Sequence, residues 1–135
     1  MPGIFAWGVV AGMAADEQRD GIGWQNPKTG SAGWSYLKFR QRALDWATVG
    51  VAAVVTANGG IQEARIGLTN MGQTPLRASA AESAMAGAGR DGVRAAADRA
   101  DEGTDPPADT WASSDFRRHL ARVLTARAVE EALSR

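Results

Sequence analysis

Cysteine is absent from the 135 residues of this sequence, and histidine occurs once, as His119. Without thiols the chain forms no disulfide, supplies no thiolate nucleophile and ligates no iron–sulfur cluster. A single imidazole also excludes a zinc site built from several histidines of this chain. Any redox group that this chain serves must therefore be organic or belong to a partner.

An excess of charge is also missing, because fifteen basic residues balance fifteen acidic ones. A protein dedicated to nucleic acid needs a cationic surface that displaces counterions, so the balance argues against that class. The apolar stretch from Gly3 to Ala15 is too short to cross a bilayer and has no basic residue ahead of it. A cytoplasmic location is the default expectation, and the length fits one compact domain.

Strand signals come first along the chain. Small and β-branched residues predict a buried strand from Val49 to Thr56, and Asn58-Gly59 predicts a hairpin turn after it. Alternation of apolar and polar residues predicts a second strand from Ile61 to Thr69. A third, shorter strand is expected from Thr74 to Arg77, near a sheet edge because Pro75 cannot donate to a ladder.

Helix signals follow the strands. Ser79 and Glu82 have the spacing of a capping box, which predicts a short helix. Residues 91–101 are rich in Ala and Arg and predict a second helix, and Ser113 or Ser114 is expected to cap a long last helix. The apolar stripe predicted for that last helix comprises Phe116, Leu120, Val123, Leu124 and Ala128. Strands followed by helices predict an α+β fold.

Two motifs that suggest functional sites have simpler structural explanations. The run from Gly87 to Gly92 matches G-x-G-x-x-G, but a predicted helix precedes it instead of the strand that a dinucleotide fingerprint requires. We therefore expect it to connect two helices. His119 has no catalytic partner at a convincing spacing, so a surface position on the last helix is expected.

The last helix carries several charged residues, which allow two interpretations. They are Asp115, Arg117, Arg118, Arg122 and Arg127. One interpretation is a solvated face with the acid near the helix N-terminus, as the helix dipole favours. The other is a docking surface for an acidic partner.

A segment with alternating side chains precedes the first predicted strand. If it is extended, Tyr36, Lys38, Arg40 and Arg42 lie on one face. A tyrosine ring can stack on a flat ligand, and a neighbouring cation can donate hydrogen bonds to the oxygens of that ligand. From the residues alone, an edge strand with solvated charges explains the pattern equally well.

Three blocks of this sequence, taken in order and with their spacing, carry a family resemblance. They are Tyr36-x-Lys38-x-x-x-Arg42-x-x-Asp45-Trp46-Ala47, Arg65-Ile66-Gly67-Leu68-Thr69-Asn70, and Ser114-Asp115-Phe116-Arg117-Arg118. Together they resemble the C-terminal domain of the FAD-binding (medium) subunit of carbon monoxide dehydrogenases and xanthine dehydrogenase-type molybdenum hydroxylases. The resemblance extends from about Gly30 to Leu133.

The resemblance implies a fold and a cofactor. The expected fold is a three-stranded antiparallel sheet packed against about three helices, formed by residues 31–135 after a poorly ordered segment, residues 1–30. The implied cofactor is FAD, with Tyr36 beside the isoalloxazine ring and Lys38 near it. The rest of the FAD site belongs to upstream domains that residues 1–29 cannot contain, so weak or absent FAD binding is expected for the isolated chain.

The resemblance also implies partners, namely the upstream FAD-binding domains, an iron–sulfur small subunit and a molybdopterin large subunit. The domain would cover the flavin edge and support electron transfer from the iron–sulfur partner to FAD, and it is not expected to be catalytic alone. The alternative is a truncated, non-catalytic interaction or assembly domain without a cofactor, which the tryptophans and the basic last helix suggest.

Overall fold

The computed structural model describes residues 32–42 and 44–134, which form a four-stranded antiparallel sheet and three α-helices. The strands are β1 (Ala32–Phe39), β2 (Val49–Ala57), β3 (Ile61–Thr69) and β4 (Leu76–Arg77), in that spatial order. The helices are α1 (Ser79–Met85), α2 (Val93–Ala97) and α3 (Ser114–Leu133). The expected poorly ordered segment, residues 1–30, lies outside the described residues.

The α+β class is confirmed, and the sheet has one strand more than predicted. Strand β1 begins at Ala32 and pairs with β2 along its whole length, so the segment before Val49 belongs to the sheet. The strand ends at Phe39, whose carbonyl accepts a hydrogen bond from the Thr48 N–H at 2.7 Å. Strand β4 is shorter than predicted, and it occupies a sheet edge as Pro75 required.

The β2–β3 hairpin forms where Asn58-Gly59 predicted it. Gly59 has φ of 76°, a left-handed conformation that glycine adopts without steric cost. The Asn58 N–H donates to the Gly60 carbonyl at 3.0 Å, and the register shifts between Thr56 and Ala57 as the strand enters the turn. The turn therefore sets the β2–β3 register, in which Ala52 pairs with Gly67.

The core lies between one face of the sheet and the helices. Alternate residues of β2 and β3, including Val51, Ile66 and Leu68, are fully buried there. The buried face of α3 comprises Arg117, Leu120, Ala121, Leu124, Thr125, Ala128, Val129 and Ala132. The predicted stripe was wrong for Phe116 and Val123, which lie beside this face. Phe116 instead meets Phe39 edge-to-face, with ring centroids 5.8 Å apart.

The predicted capping box is also wrong. Helix α1 has Ala78 at its N-cap without a side-chain hydrogen bond. The Glu82 carboxylate instead accepts the Ile66 N–H at 2.8 Å, on the side of β3 that faces β4. The carboxylate thus satisfies a strand donor where the short β4 ladder ends, which explains why it does not fold back onto its own helix.

The second helix is shorter than residues 91–101. A single 3₁₀ turn, Arg90–Gly92, precedes α2, and the chain leaves α2 through turns with i→i−3 hydrogen bonds such as Ala100 N–H to the Ala97 carbonyl. The run from Gly87 to Gly92 lies between α1 and α2 and includes this turn, as expected for a connector. Its first glycine donates to the Ile61 carbonyl at 2.8 Å, which ties the connector to the start of β3.

Candidate functional site

The sheet face opposite the helices forms a platform of small residues bordered by aromatic and cationic ones. The antiparallel register places Tyr36, Ala52, Gly67 and Arg77 in one row across the four strands. The adjacent row contains Lys38, Gly50 and Thr69. The middle strands contribute glycine and alanine to the first row, so no large side chain of β2 or β3 stands between Tyr36 and Arg77 in that row, and the small residues themselves are buried.

Tyr36 lies across this platform and leans toward the row of Lys38. A Cβ atom added to Gly50 would lie 3.1 Å from the Tyr36 hydroxyl and 2.6 Å from Thr69 Oγ1. Glycine at position 50 therefore allows the phenol to lie against the β2 backbone. The side chain is half-buried, and its hydroxyl is buried without a hydrogen-bond partner among residues 32–42 and 44–134.

Burial raises the pKa of the Tyr36 phenol above its usual value of 10.0, because the anionic phenolate loses hydration. Tyr36 is the only tyrosine of the chain, so phenolate absorbance near 295 nm reports this group alone. We expect a titration midpoint above 10 in the native chain and near 10 in concentrated denaturant. At pH values between the two midpoints, the unfolded chain binds fewer protons than the native chain, so the free energy of unfolding falls as the pH rises. Equal midpoints would contradict the buried position of the hydroxyl.

The predicted cationic face is only partly correct. Lys38 is exposed and shares the face of Tyr36, but Arg40 and Arg42 lie beyond the end of β1, where strand alternation no longer applies. The structure thus brings Tyr36 and Lys38 together on one sheet face and leaves the two arginines in the loop.

Arg77 is a cation of this face that the sequence analysis did not single out. Its guanidinium donates to both carboxylate oxygens of Glu82, at 3.1 and 2.9 Å, and both side chains are largely shielded from solvent. Since Glu82 also accepts the Ile66 N–H, the carboxylate holds the arginine against the sheet edge. The Ser79–Glu82 spacing predicted that Glu82 would take part in a capping box, so it predicted the wrong partner for this carboxylate.

A second cluster surrounds Arg117, and it contradicts both interpretations of that residue as part of a solvated or docking face. Arg117 is 4% exposed; it donates to the Thr48 carbonyl at 2.5 Å and to Asp109 Oδ2 at 2.6 Å. The pKa of Asp109 lies below its usual value because the backbone N–H groups of Trp111 and Ala112 donate to its carboxylate, and Arg117 adds to this effect. His119 on the same helix is exposed, as expected.

Neither a metal centre nor a membrane span is found in the part of the chain that the structure describes. Within these residues, no three His, Cys, Asp or Glu side chains come close enough together to hold an ion. No described helix combines the length and the apolar character that a bilayer crossing requires.

Comparison with known proteins gives this fold a family. Residues 34–132 match the family model described as the CO dehydrogenase flavoprotein C-terminal domain. The chain belongs to this family. The match includes Tyr36, Lys38, Arg77 and Arg117, so both clusters described above lie inside the family domain.

Two relatives and two solved structures illustrate the similarity. The carbon monoxide dehydrogenase medium chain of Hydrogenophaga pseudoflava is 34% identical over 106 residues, which are 76% of this chain and 37% of the relative. The medium chain of Afipia carboxidovorans is 37% identical over 112 residues, which are 81% of this chain and 38% of the relative. This chain therefore spans less than two-fifths of the length of these relatives.

The solved structures agree with the sequence relatives. Carbon monoxide dehydrogenase from Hydrogenophaga pseudoflava, in a form that lacks the Mo-pyranopterin moiety of its molybdenum cofactor, superposes with a TM-score of 0.73 at 36% identity, over 78% of this chain and 38% of that one. Quinoline 2-oxidoreductase from Pseudomonas putida 86 gives a TM-score of 0.70 at 29% identity, over 77% and 38% of the two chains. The family resemblance of the sequence is thus confirmed.

Proposed function

We propose that this chain is the C-terminal domain of the FAD-binding subunit of a molybdenum hydroxylase of the carbon monoxide dehydrogenase type. In this role it covers the flavin edge and supports electron transfer from an iron–sulfur partner to FAD. The observation that carries the proposal is the platform on the sheet face opposite the helices, where Tyr36 lies over Gly50 beside the row of Lys38. Its residues fall within the family match.

The residues of this face fit a planar, electron-rich cofactor. The glycines and alanine of the middle strands place no large side chain of their own where a flat ring system would approach the sheet. The half-buried ring of Tyr36 offers a stacking surface, and the exposed Lys38 offers a cation for ligand oxygens. FAD, when bound, supplies the redox chemistry, and these residues contribute orientation and electrostatics.

The proposal includes partners beyond this chain. Most contacts to FAD would come from upstream FAD-binding domains, since the relatives are more than twice as long as the matched region. Electrons would arrive from an iron–sulfur small subunit that is fed by a molybdopterin large subunit. The chain alone therefore holds only one side of the flavin and is not an enzyme by itself.

FAD binding measured in two arrangements tests this proposal. Equilibrium dialysis of the full chain with FAD is expected to show weak or no binding, because one face of the site cannot retain the cofactor alone. Adding the upstream portion of a related medium chain as a separate polypeptide is expected to produce binding. In that mixture Tyr36→Ala should weaken FAD binding by about tenfold, since a stacking surface is lost.

Matched variants separate stacking from other effects. Tyr36→Phe should bind FAD within about twofold of the parent, because it keeps the ring and removes only a hydroxyl that has no hydrogen-bond partner among the described residues. Lys38→Ala should weaken binding, while Gln62→Ala, an exposed change elsewhere on the sheet, should not. Failure of the mixture to bind FAD, or equal affinity of the parent and Tyr36→Ala, would favour the alternative of an interaction domain without a cofactor.

A further inference from the structure

An open cleft of about 310 Å³ lies outside the platform, between the β1–β2 loop and the segment before α3. The side chains that line it include Asp45, Trp46, Asp109, Trp111 and Arg117. Trp46 is 78% exposed and Trp111 is 60% exposed, although indole rings are among the most apolar surfaces a protein has. The cleft thus combines two accessible aromatic rings with charged residues.

The position of Trp111 is fixed by its neighbours. The Trp111 N–H donates to Asp109 Oδ1 at 2.9 Å, and its carbonyl accepts from Gln41 Nε2 at 2.9 Å. Asp109 in turn holds Arg117, which anchors the segment to α3. The backbone that carries this indole is therefore tied to both sides of the cleft, which makes a preformed site.

The charges that line the cleft do not cancel. Arg117 and Asp109 neutralise each other through their 2.6 Å ion pair. Asp45 is half-buried, and within residues 32–42 and 44–134 its carboxylate forms no hydrogen bond or ion pair. Among the described residues that line the cleft, the Asp45 carboxylate therefore leaves one net negative charge in the same lining as two indole rings, and its partial burial weakens solvent screening.

We propose that this cleft binds an arginine side chain of a partner polypeptide. A guanidinium stacks on indole through cation–π attraction, and it can donate hydrogen bonds to a carboxylate in the same plane. Trp46 and Trp111 supply the rings, and Asp45 supplies the acceptor. This charge complementarity favours a cationic partner over an apolar or acidic one.

Exposure and chain length favour a partner protein as the source of this arginine. Tryptophan and arginine are the residues that most often dominate binding energy in protein interfaces. Leu44, 99% exposed, directly precedes Asp45 and Trp46 in the chain, and exposed apolar residues that cluster mark interaction sites. The relatives extend well beyond the region matched here, so additional polypeptide surfaces are expected around this domain.

Nuclear magnetic resonance of the full chain tests the inference with a small probe, Nα-acetyl-arginine amide. The indole N–H signals of Trp46 and Trp111, assigned with Trp46→Phe and Trp111→Phe, should shift together as the probe is added. The corresponding citrulline amide, which has the same shape without the charge, should shift them much less. Asp45→Asn should weaken arginine binding by about threefold, in line with the strength of a partly exposed ion pair.

Asp98→Asn is the matched control, because it removes the same charge from an exposed position outside the cleft and should leave the affinity unchanged. Equal shifts with arginine and citrulline amides, or equal affinities for Asp45→Asn and the parent, would overturn the proposal. It would also be overturned if Arg19→Ala or Lys28→Ala moved both indole signals in the free chain, since the cation would then come from the chain itself. These measurements contain no flavin, so their failure is distinct from a failure of the proposed function.

Discussion

Replacing Arg117 with methionine is expected to lower the free energy of unfolding by about 3 kcal/mol. Methionine replaces the alkyl stem, but the Thr48 carbonyl loses its donor from α3 and Asp109 loses its cation. A loss of this size is a large part of the stability of a small domain. The change should also loosen the cleft, because Arg117 joins the β1–β2 loop to the segment that carries Trp111.

Urea unfolding followed by far-ultraviolet circular dichroism measures this effect. Arg127→Met is the matched control, because it makes the same change at an exposed position of the same helix and should alter stability by less than about 0.5 kcal/mol. The stability of Arg117→Lys should lie between those of the two methionine variants. An ammonium group keeps the charge but lacks the two separate nitrogens with which the guanidinium donates to the Thr48 carbonyl and to Asp109. Equal stabilities for Arg117→Met and Arg127→Met would show that the buried bridge contributes nothing.

The sequence predicted those features that depend on neighbours along the chain. The β2–β3 hairpin follows from Asn58-Gly59 and from period-two alternation, both of which act within a few residues. The start of α3 follows in the same way, because Ser113 Oγ accepts the Phe116 N–H at 3.1 Å, a local capping contact. Local signals of this kind indicate such elements without reference to any tertiary contact.

Features that depend on distant partners could not be predicted. Glu82 bonds a strand residue 16 positions away, and Arg117 bonds a carbonyl 69 positions away. A capping box and a solvated helix face were reasonable local interpretations of these residues, yet tertiary hydrogen bonds decided their positions. The position of a buried charge depends on partners that come together only in the folded chain. Helical periodicity carries no information about those partners.

The candidate site was predictable along one strand but not across the sheet. Alternation predicted that Tyr36 and Lys38 share a face, and β1 places them there. Arg77 lies in the same row as Tyr36 only because three successive strand pairings connect them. Position 50 requires glycine because Tyr36, on the neighbouring strand, lies over it. A single sequence cannot specify such cross-strand registers, which the turns and the packing of the sheet determine.

The second large effect is expected at Gly33, where β1 approaches the end of α3. A Cβ atom at this position would lie 1.8 Å from the backbone carbonyl oxygen of Ala132, far inside van der Waals contact. Because the obstructing atom belongs to a helix backbone, no change of rotamer can relieve the clash. Gly33→Ala should therefore displace the last turn of α3 and lower the free energy of unfolding by about 3 kcal/mol.

Gly89→Ala provides the comparison for this change, because no atom lies within 4 Å of a Cβ added there and its φ is −82°, which alanine adopts readily. This control should change the free energy of unfolding by less than about 1 kcal/mol. Any change should be an increase, because alanine leaves the unfolded chain less conformational freedom than glycine does. Urea midpoints of the two variants, read by far-ultraviolet circular dichroism, measure the difference. Similar midpoints would mean that α3 does not close against β1 as described, and the core between α3 and the sheet would then need a different packing.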